Sequence, residues 1–303
     1  MSSLLENIPT WVANAPAAER NFRKAVHVVL HAIATDRRLS QLLCLKGGIL
    51  MALHYRSERY TTDIDFSTKD PFSVSAEEET KALLETRLAS ASEDLGYDID
   101  CRLQRWDVQP GRDKTYVSIF MKVGYAVRGS RAHPRLIRGE SAETVSIDYN
   151  YLESIPQIEE VSIGSDGVLR VYALPTLVAE KIRSLIQQPI RKRNRRQDVY
   201  DLRHLLLERP ELYGDECRRI VVEDIIIKCA DRDVPVGPTS LNQKDVHDMA
   251  LKEYNFLQDE ISGELPEFEE AYELVRSYFS SLPWPLPSDN ANADSGIPAD
   301  LSI

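Results

Sequence analysis

The apolar positions of the chain change period twice. Phe22, Val26, Val29, Leu30 and Ile33 fall on one helical stripe, which predicts a helix or a close pair of helices over residues 17–43. Lys46-Gly47-Gly48 is followed by good helix formers, so residues 45–55 read as a turn that opens a helix. Residues 62–67 predict a short strand, and Leu83, Leu84, Leu88 and Leu95 give residues 76–95 an inward-facing helical stripe. Strand-like composition follows: residues 97–106, 115–124 and 143–151 predict strands, with a further short one over 167–172. The helical period returns at Pro175, a residue suited to the first turn of a helix. Helices are predicted over 175–188, 195–207, 214–230, 243–259 and 267–282.

This succession places a boundary near residue 173. Residues 1–173 read as a mixed α and β core with N-terminal helices, and residues 174–283 as an all-helical part. In the tail, 284–303, Pro, Ser, Asp and Asn stand with almost no apolar anchor, which predicts disorder. No internal repeat is visible. At 303 residues and 43% hydrophobic content the chain is large enough for two modest domains, or one large one, with a real core. No run of about 18 apolar residues predicts a membrane span, and the first residues lack a secretory signal. Cys44, Cys101, Cys217 and Cys229 are scattered without CxxC spacing, which predicts reduced thiols in a cytoplasmic protein.

The net charge of −11 argues against a general basic coat for duplex DNA but leaves room for a local basic groove. Two basic clusters stand out. One runs from Lys181 to Arg196, and Arg191, Lys192, Arg193, Arg195 and Arg196 make five of the last six residues basic. The other holds Arg128, Arg131, Arg135 and Arg138 around His133.

Asp63-Ile64-Asp65 is the sharpest chemical signal. On a strand, alternate side chains share a face, so both carboxylates project together while Ile64 and Phe66 turn to the core. Two adjacent carboxylates repel, and a divalent cation offsets them. Mg²⁺ takes oxygen ligands, commonly one or two carboxylates with substrate phosphates. A solvated DxD at a strand end is the plain alternative. The glycine turn fifteen residues earlier changes the balance, because a helix N-terminus with free N–H groups suits a phosphate. Asp148, on the polar face of the alternating segment Val145–Asn150, is the candidate third carboxylate; an edge-strand Asp facing water is the alternative. The histidines show no metal-site spacing, and His27 and His31 read as ordinary helix residues.

The stretch Lys46-Gly47-Gly48-Ile49-Leu50, then Arg59-Tyr60-Thr61-Thr62-Asp63-Ile64-Asp65-Phe66-Ser67, resembles the AbiEii/AbiGii-type nucleotidyltransferase toxins of type IV toxin–antitoxin and abortive-infection systems. Ala179-Glu180-Lys181-Ile182 and Arg196-Gln197-Asp198-Val199-Tyr200-Asp201-Leu202 resemble that family's later motifs, in the same order over residues 45–207. The resemblance implies an α+β fold: a polymerase-β-like nucleotidyltransferase core with mixed sheet and flanking helices, followed by an all-helical domain. It implies a nucleoside triphosphate substrate with one or two Mg²⁺ ions, an RNA acceptor of tRNA type, release of pyrophosphate, and a cognate antitoxin protein as partner. Residue by residue, Gly47 and Gly48 would approach the triphosphate, Asp63 and Asp65 would bind metal, Lys181 would contact the triphosphate, and Asp198 would be a further site residue. Two positions depart from the pattern. Ile49 replaces a threonine hydroxyl that would bond a phosphate, and Thr61 stands for a serine and keeps the hydroxyl.

Read on their own terms, the later residues keep alternatives open. Lys181 borders the apolar face of its helix and can neutralise phosphate charge, or pair with an acid such as Glu180. Arg191 to Arg196 is a footprint for RNA phosphates or the triphosphate, or a solvated loop. Asp198 and Asp201 share a helix face. Asp198 is expected to orient Lys181 or an arginine by a salt bridge, and Asp201 to cap the helix or pair locally; a purely structural role is the alternative for both. Arg59 is expected either to bridge a phosphate or, in the plainer role, to hold the Asp63 loop through an ion pair. Transfer to a protein or small molecule, or a non-catalytic nucleotide- or partner-binding protein of the same fold, are the competing functions.

Overall fold

A computed structural model describes residues 7–285 apart from Ser165. The described residues open with α1 (Asn7–Ala13), α2 (Arg20–Ala34) and α3 (Arg37–Leu42). The apolar stripe over residues 17–43 is therefore a helix pair. It breaks at Asp36, whose Oδ1 accepts from the backbone N–H of Arg38 at 2.9 Å and of Leu39 at 3.1 Å, capping the new helix. Next come β1 (Cys44–Lys46), α4 (Gly47–His54), β2 (Asp63–Ser67), α5 (Val74–Asp94), β3 (Ile99–Gln109), β4 (Ser118–Val127), α6 (His133–Ile137), β5 (Thr144–Asn150), β6 (Ile158–Ile163) and β7 (Gly167–Tyr172). After Tyr172 the named elements are helical: α7 (Leu174–Arg191), α8 (Arg196–Glu208), α9 (Asp215–Ala230), α10 (Lys244–Leu251) and α11 (Phe268–Ser281), with short 3-10 turns between.

The fold is α+β. One seven-stranded mixed sheet has the order β3-β4-β5-β2-β1-β7-β6, with parallel pairs at β2/β5 and β1/β7 and antiparallel pairs elsewhere. Period-2 alternation gives this sheet two different faces. Ile64 and Phe66 on β2, Ile119, Met121 and Val123 on β4, and Val145, Ile147 and Tyr149 on β5 are buried, in a core packed with α2 and α5. Asp63, Asp65, Ser118, Phe120, Lys122, Thr144, Ser146 and Asp148 lie on the other face and are only partly covered. The helical part reaches over the β1/β7 end of that second face, where Lys228 of α9 stacks 4.7 Å from the buried Tyr172 ring.

Several elements differ from expectation. β1 is a three-residue strand cut from what reads as the start of a helix. β6 is an edge strand whose Glu159-Glu160 pair obscures the alternation, and α1 and α6 were also unforeseen. The helix expected over 243–259 stops at Leu251. Glu253 adopts a left-handed φ of 64°, and a 3-10 turn, Tyr254–Glu260, follows. At the start of the expected disordered tail, Trp284 packs 4.9 Å from the Phe279 ring and its Nε1 donates to the Phe279 carbonyl at 2.9 Å. The rest of that tail, 286–303, lies outside the described residues. Among the described residues no helix is long and apolar enough to cross a membrane.

Candidate active site

β2 and β5 run parallel with Asp65 directly beside Asp148 and Asp63 beside Ser146. Strand alternation then places three carboxylates on one face, and oxygen atoms of Asp63, Asp65 and Asp148 all lie within 4.8 Å of one another. Burial, and then the neighbouring Asp63 carboxylate, push Asp65 up to about 6. The same two causes raise Asp148. Lys46 pulls both groups back in part, helped by Arg195 at Asp65 and by Arg193 at Asp148. These three crowded carboxylates, two of them with raised proton affinity, form an all-oxygen donor set that fits a hard divalent cation such as Mg²⁺.

The two glycines serve this cluster through close packing. Gly47 opens α4 with φ +71°, and a Cβ there would lie 1.9 Å from Asp65 Oδ2. A Cβ on Gly48 would lie 2.6 Å from Thr61 Oγ1 and 3.2 Å from a terminal nitrogen of Arg59. Thr61 in turn donates to Asp63 Oδ1 at 2.8 Å. The first turn of α4 is thus pressed against the side chains that shape the acidic cluster, and Lys46 at its N-cap supplies no side-chain cap to the helix N–H groups. Gly47→Ala is expected to tilt the Asp65 carboxylate out of line as well as to add left-handed strain of about 1–2 kcal/mol. Isothermal titration with Mg²⁺ should show the loss of carboxylate-dependent binding while circular dichroism stays that of the folded protein. Unchanged metal binding would contradict this account of the glycine.

Beside the cluster lies a buried network of ion pairs. Lys181 Nζ donates to Asp201 Oδ2 at 2.6 Å and to Asp198 Oδ1 at 3.2 Å. Arg59 donates to both Asp201 oxygens, at 3.0 and 3.2 Å. Arg195 Nε donates to Asp198 Oδ2 at 3.0 Å. Asp198 and Asp201 are 1% and 0% exposed, so these pairs are shielded from solvent. Burial alone would raise Asp201, yet Arg59 and Lys181 hold it well below the usual carboxylate range. Burial likewise opposes the Lys181 charge, and Asp201 and Asp198 outweigh it. Asp201 therefore pairs with distant residues, against the expectation of a local partner. Arg59 holds the loop before Asp63 through an ion pair, as expected.

The basic loop divides in two. Arg195 is held by Asp198, and Arg196 by Glu253 at 3.3 Å and Glu260 at 2.8 Å. Arg191, Lys192 and Arg193 have no carboxylate within 4.0 Å among the described residues. His27, read as an ordinary helix residue, is buried with Nδ1 2.8 Å from the Tyr97 hydroxyl.

Comparison with families of known proteins places residues 29–274 in the family described as nucleotidyl transferase AbiEii toxin, type IV toxin–antitoxin system. The chain belongs to the AbiEii family. It is therefore a nucleotidyltransferase of toxin type, and membership implies a nucleoside triphosphate substrate and an antitoxin partner. No curated protein matches the sequence. Similar solved structures include JHP933 from Helicobacter pylori, 13% identical with a TM-score of 0.48, covering 88% of this chain and 92% of that one. Another is MenT4, a nucleotidyltransferase toxin from Mycobacterium tuberculosis, 15% identical with a TM-score of 0.46, covering 91% of this chain and 98% of that one. Within the AbiEii protein, two residues beside the carboxylates received no role from the sequence, Lys46 and Phe120. Lys46 pairs in register with Asp65 on β1, and Phe120 pairs with Asp148 on β4. Only the strand pairing could reveal either.

Proposed function

We propose that this AbiEii protein transfers a nucleotide from a nucleoside triphosphate to an RNA acceptor of tRNA type, with Mg²⁺ held by Asp63, Asp65 and Asp148. The observation that carries the reading is the three-carboxylate cluster on the partly open face of the sheet, next to a glycine-opened helix. When bound, one or two Mg²⁺ ions would neutralise the triphosphate and favour attack at the α-phosphorus.

The protein's own groups position the reactants. Asp148, with its proton affinity raised by burial and Asp63, takes the proton of the acceptor hydroxyl as that oxygen bonds to the α-phosphorus and pyrophosphate leaves. Gly47 and Gly48 bring the first N–H groups of α4 close to the triphosphate. Arg191, Lys192 and Arg193 meet phosphate charge, and Arg193 faces Asp148 closely enough to lower its pKa. Lys181, shared by Asp198 and Asp201, holds Arg195 and Arg59 in register around the site and adds positive potential toward the phosphates. Arg195 and Arg196 contribute to RNA binding through the field of the loop rather than as free cations.

The test is a labelling screen with the purified full chain, total RNA and each radiolabelled nucleoside triphosphate. RNase-sensitive label that appears with Mg²⁺ and vanishes with EDTA is the expected result. RNase-resistant label in protein would replace the RNA acceptor with a protein one. No label and no Mg²⁺-dependent triphosphate binding would leave a non-catalytic member of the fold.

A further inference from the structure

Two rows of side chains cross the sheet from the acidic cluster. One runs Asp65, Asp148, Phe120, Asp107, and the other Asp63, Ser146, Lys122, Arg105, each step a register pair between neighbouring strands. Adjacent strands lie about 4.8 Å apart, so Phe120 stands one strand from Asp148. Phe120 is partly exposed, whereas its neighbours Ile119 and Met121 are 0% and 1% exposed on the opposite face. Two cations sit over its ring: the Arg105 guanidinium is 5.6 Å and the Lys122 ammonium 6.0 Å from the centroid. Arg105 is tied to Asp107. Lys122, among the described residues, has no carboxylate within 4.0 Å.

The same face continues toward α6. A bulge between Leu103 and Arg105 lays Gln104 over Gly124, whose Cβ position the Gln104 amide occupies. The buried Gln104 amide nitrogen has no hydrogen-bond partner. At the far end, His133 of α6 reaches Asp100 of β3 at 3.2 Å, and Arg131 and Arg135 beside it are exposed with no carboxylate within 4.0 Å among the described residues. The helical part covers the β1/β7 end of this face and leaves the β3–β4–β5 end for a ligand.

The geometry points to the β3–β4–β5 face as the seat of the acceptor's single-stranded end. This rests on the RNA-acceptor reading above. The terminal base stacks on Phe120, which sets its ribose hydroxyl beside Asp148. Lys122 and Arg105 take the adjoining phosphate, the Gln104 amide offers a hydrogen bond to a base edge, and Arg131 and Arg135 guide the preceding backbone past α6. An aromatic ring beside cations on an open sheet is the arrangement that accepts unpaired bases with little sequence preference.

The experiment follows binding of a fluorescein-labelled single-stranded oligoribonucleotide to the full chain by anisotropy. Mg²⁺-dependent triphosphate binding is measured alongside by calorimetry. Phe120→Ala is expected to weaken RNA binding about 10-fold, the size of one lost base stack, and to leave triphosphate binding unchanged. Phe120→Trp should restore RNA binding, which separates loss of stacking from loss of folding. The Arg131→Ala, Arg135→Ala double variant should flatten the salt dependence of binding by roughly two phosphate contacts. If the wild type labels RNA while Phe120→Ala binds and labels it equally well, the acceptor lies elsewhere and this assignment falls alone. If the wild type binds no RNA and labels a protein, the assignment falls together with the RNA reading.

Discussion

Replacing Asp65 with alanine is expected to lower nucleotide transfer by at least about 10³-fold, the scale on which a lost charge-stabilising group at a transition state acts. The carboxylate sits at the centre of the cluster, paired with Lys46 on one side and Asp148 on the other. The electrostatics make a second, opposite expectation for stability. The folded protein holds Asp65 at about 6, above its ordinary value, through burial and the Asp63 charge. Between about pH 4 and 6 the folded state therefore binds more protons than the unfolded one, and stability falls as pH rises through that window. At neutral pH the ionised carboxylate is a burden on the metal-free protein. Two pKa units set an upper bound near 3 kcal/mol, which partial solvation reduces to about 1 kcal/mol. Asp65→Asn should thus raise the melting temperature of the metal-free protein while abolishing transfer. Mg²⁺ should raise the wild-type melting temperature and leave that of Asp65→Asn unmoved. Transfer surviving in Asp65→Ala would end the metal-site reading. A wild type indifferent to Mg²⁺ in melting would show that the crowding of these carboxylates is not what binds the ion.

What was legible beforehand follows from which interactions are local. The Asp63–Asp65 pair needs only strand alternation, a property of five consecutive residues, and it is found on one face of β2 as read. The polar side of β5 was readable at Asp148 for the same reason, but its place beside Asp65 depends on a parallel pairing between segments 83 residues apart, which alternation does not encode. Arg59 and Asp201 are separated by 142 residues. Asp201 was expected to find a local partner, whereas its partners arrive from the loop before β2 and from α7. The glycines show a different shortfall. Sequence reasoning aimed them at phosphate, and the structure adds that their missing side chains make room for Asp65 and Thr61. β1 escaped notice because three residues cannot display a period. Phe120 received no reading from the sequence, because its place beside Asp148 depends on the pairing of β4 with β5.

Asp201→Ala is expected to have the largest effect on stability, about 3–5 kcal/mol, because it strips two buried cations of their shared partner. Arg59 loses both hydrogen bonds to Asp201 and keeps only a 3.9 Å contact with Glu260, and Lys181 keeps only the longer bond to Asp198. For a chain of this size the loss corresponds to a melting temperature lower by about 10 °C. The damage should also reach the chemistry, because Arg59 fixes the segment that carries Thr61, and Thr61 holds Asp63. With Asp201 kept far below the usual carboxylate range by Arg59 and Lys181, its contribution is fully present above the unfolded value near 4 and is lost only as pH falls through the depressed folded one. The wild type should therefore show no loss from this network between pH 5 and 8. A double variant separates scaffold from catalysis. Lys181→Met with Asp201→Leu removes one charge of each sign and should recover part of the stability lost in Asp201→Ala, since apolar groups often replace a buried pair at little cost. Asp201→Leu alone, which frees Arg59 to the same extent, is the reference for the rate. Transfer in the double variant at or above that of Asp201→Leu would make Lys181 an organiser of the network, whereas transfer well below it, with stability restored, would mean that the lysine charge acts on the triphosphate.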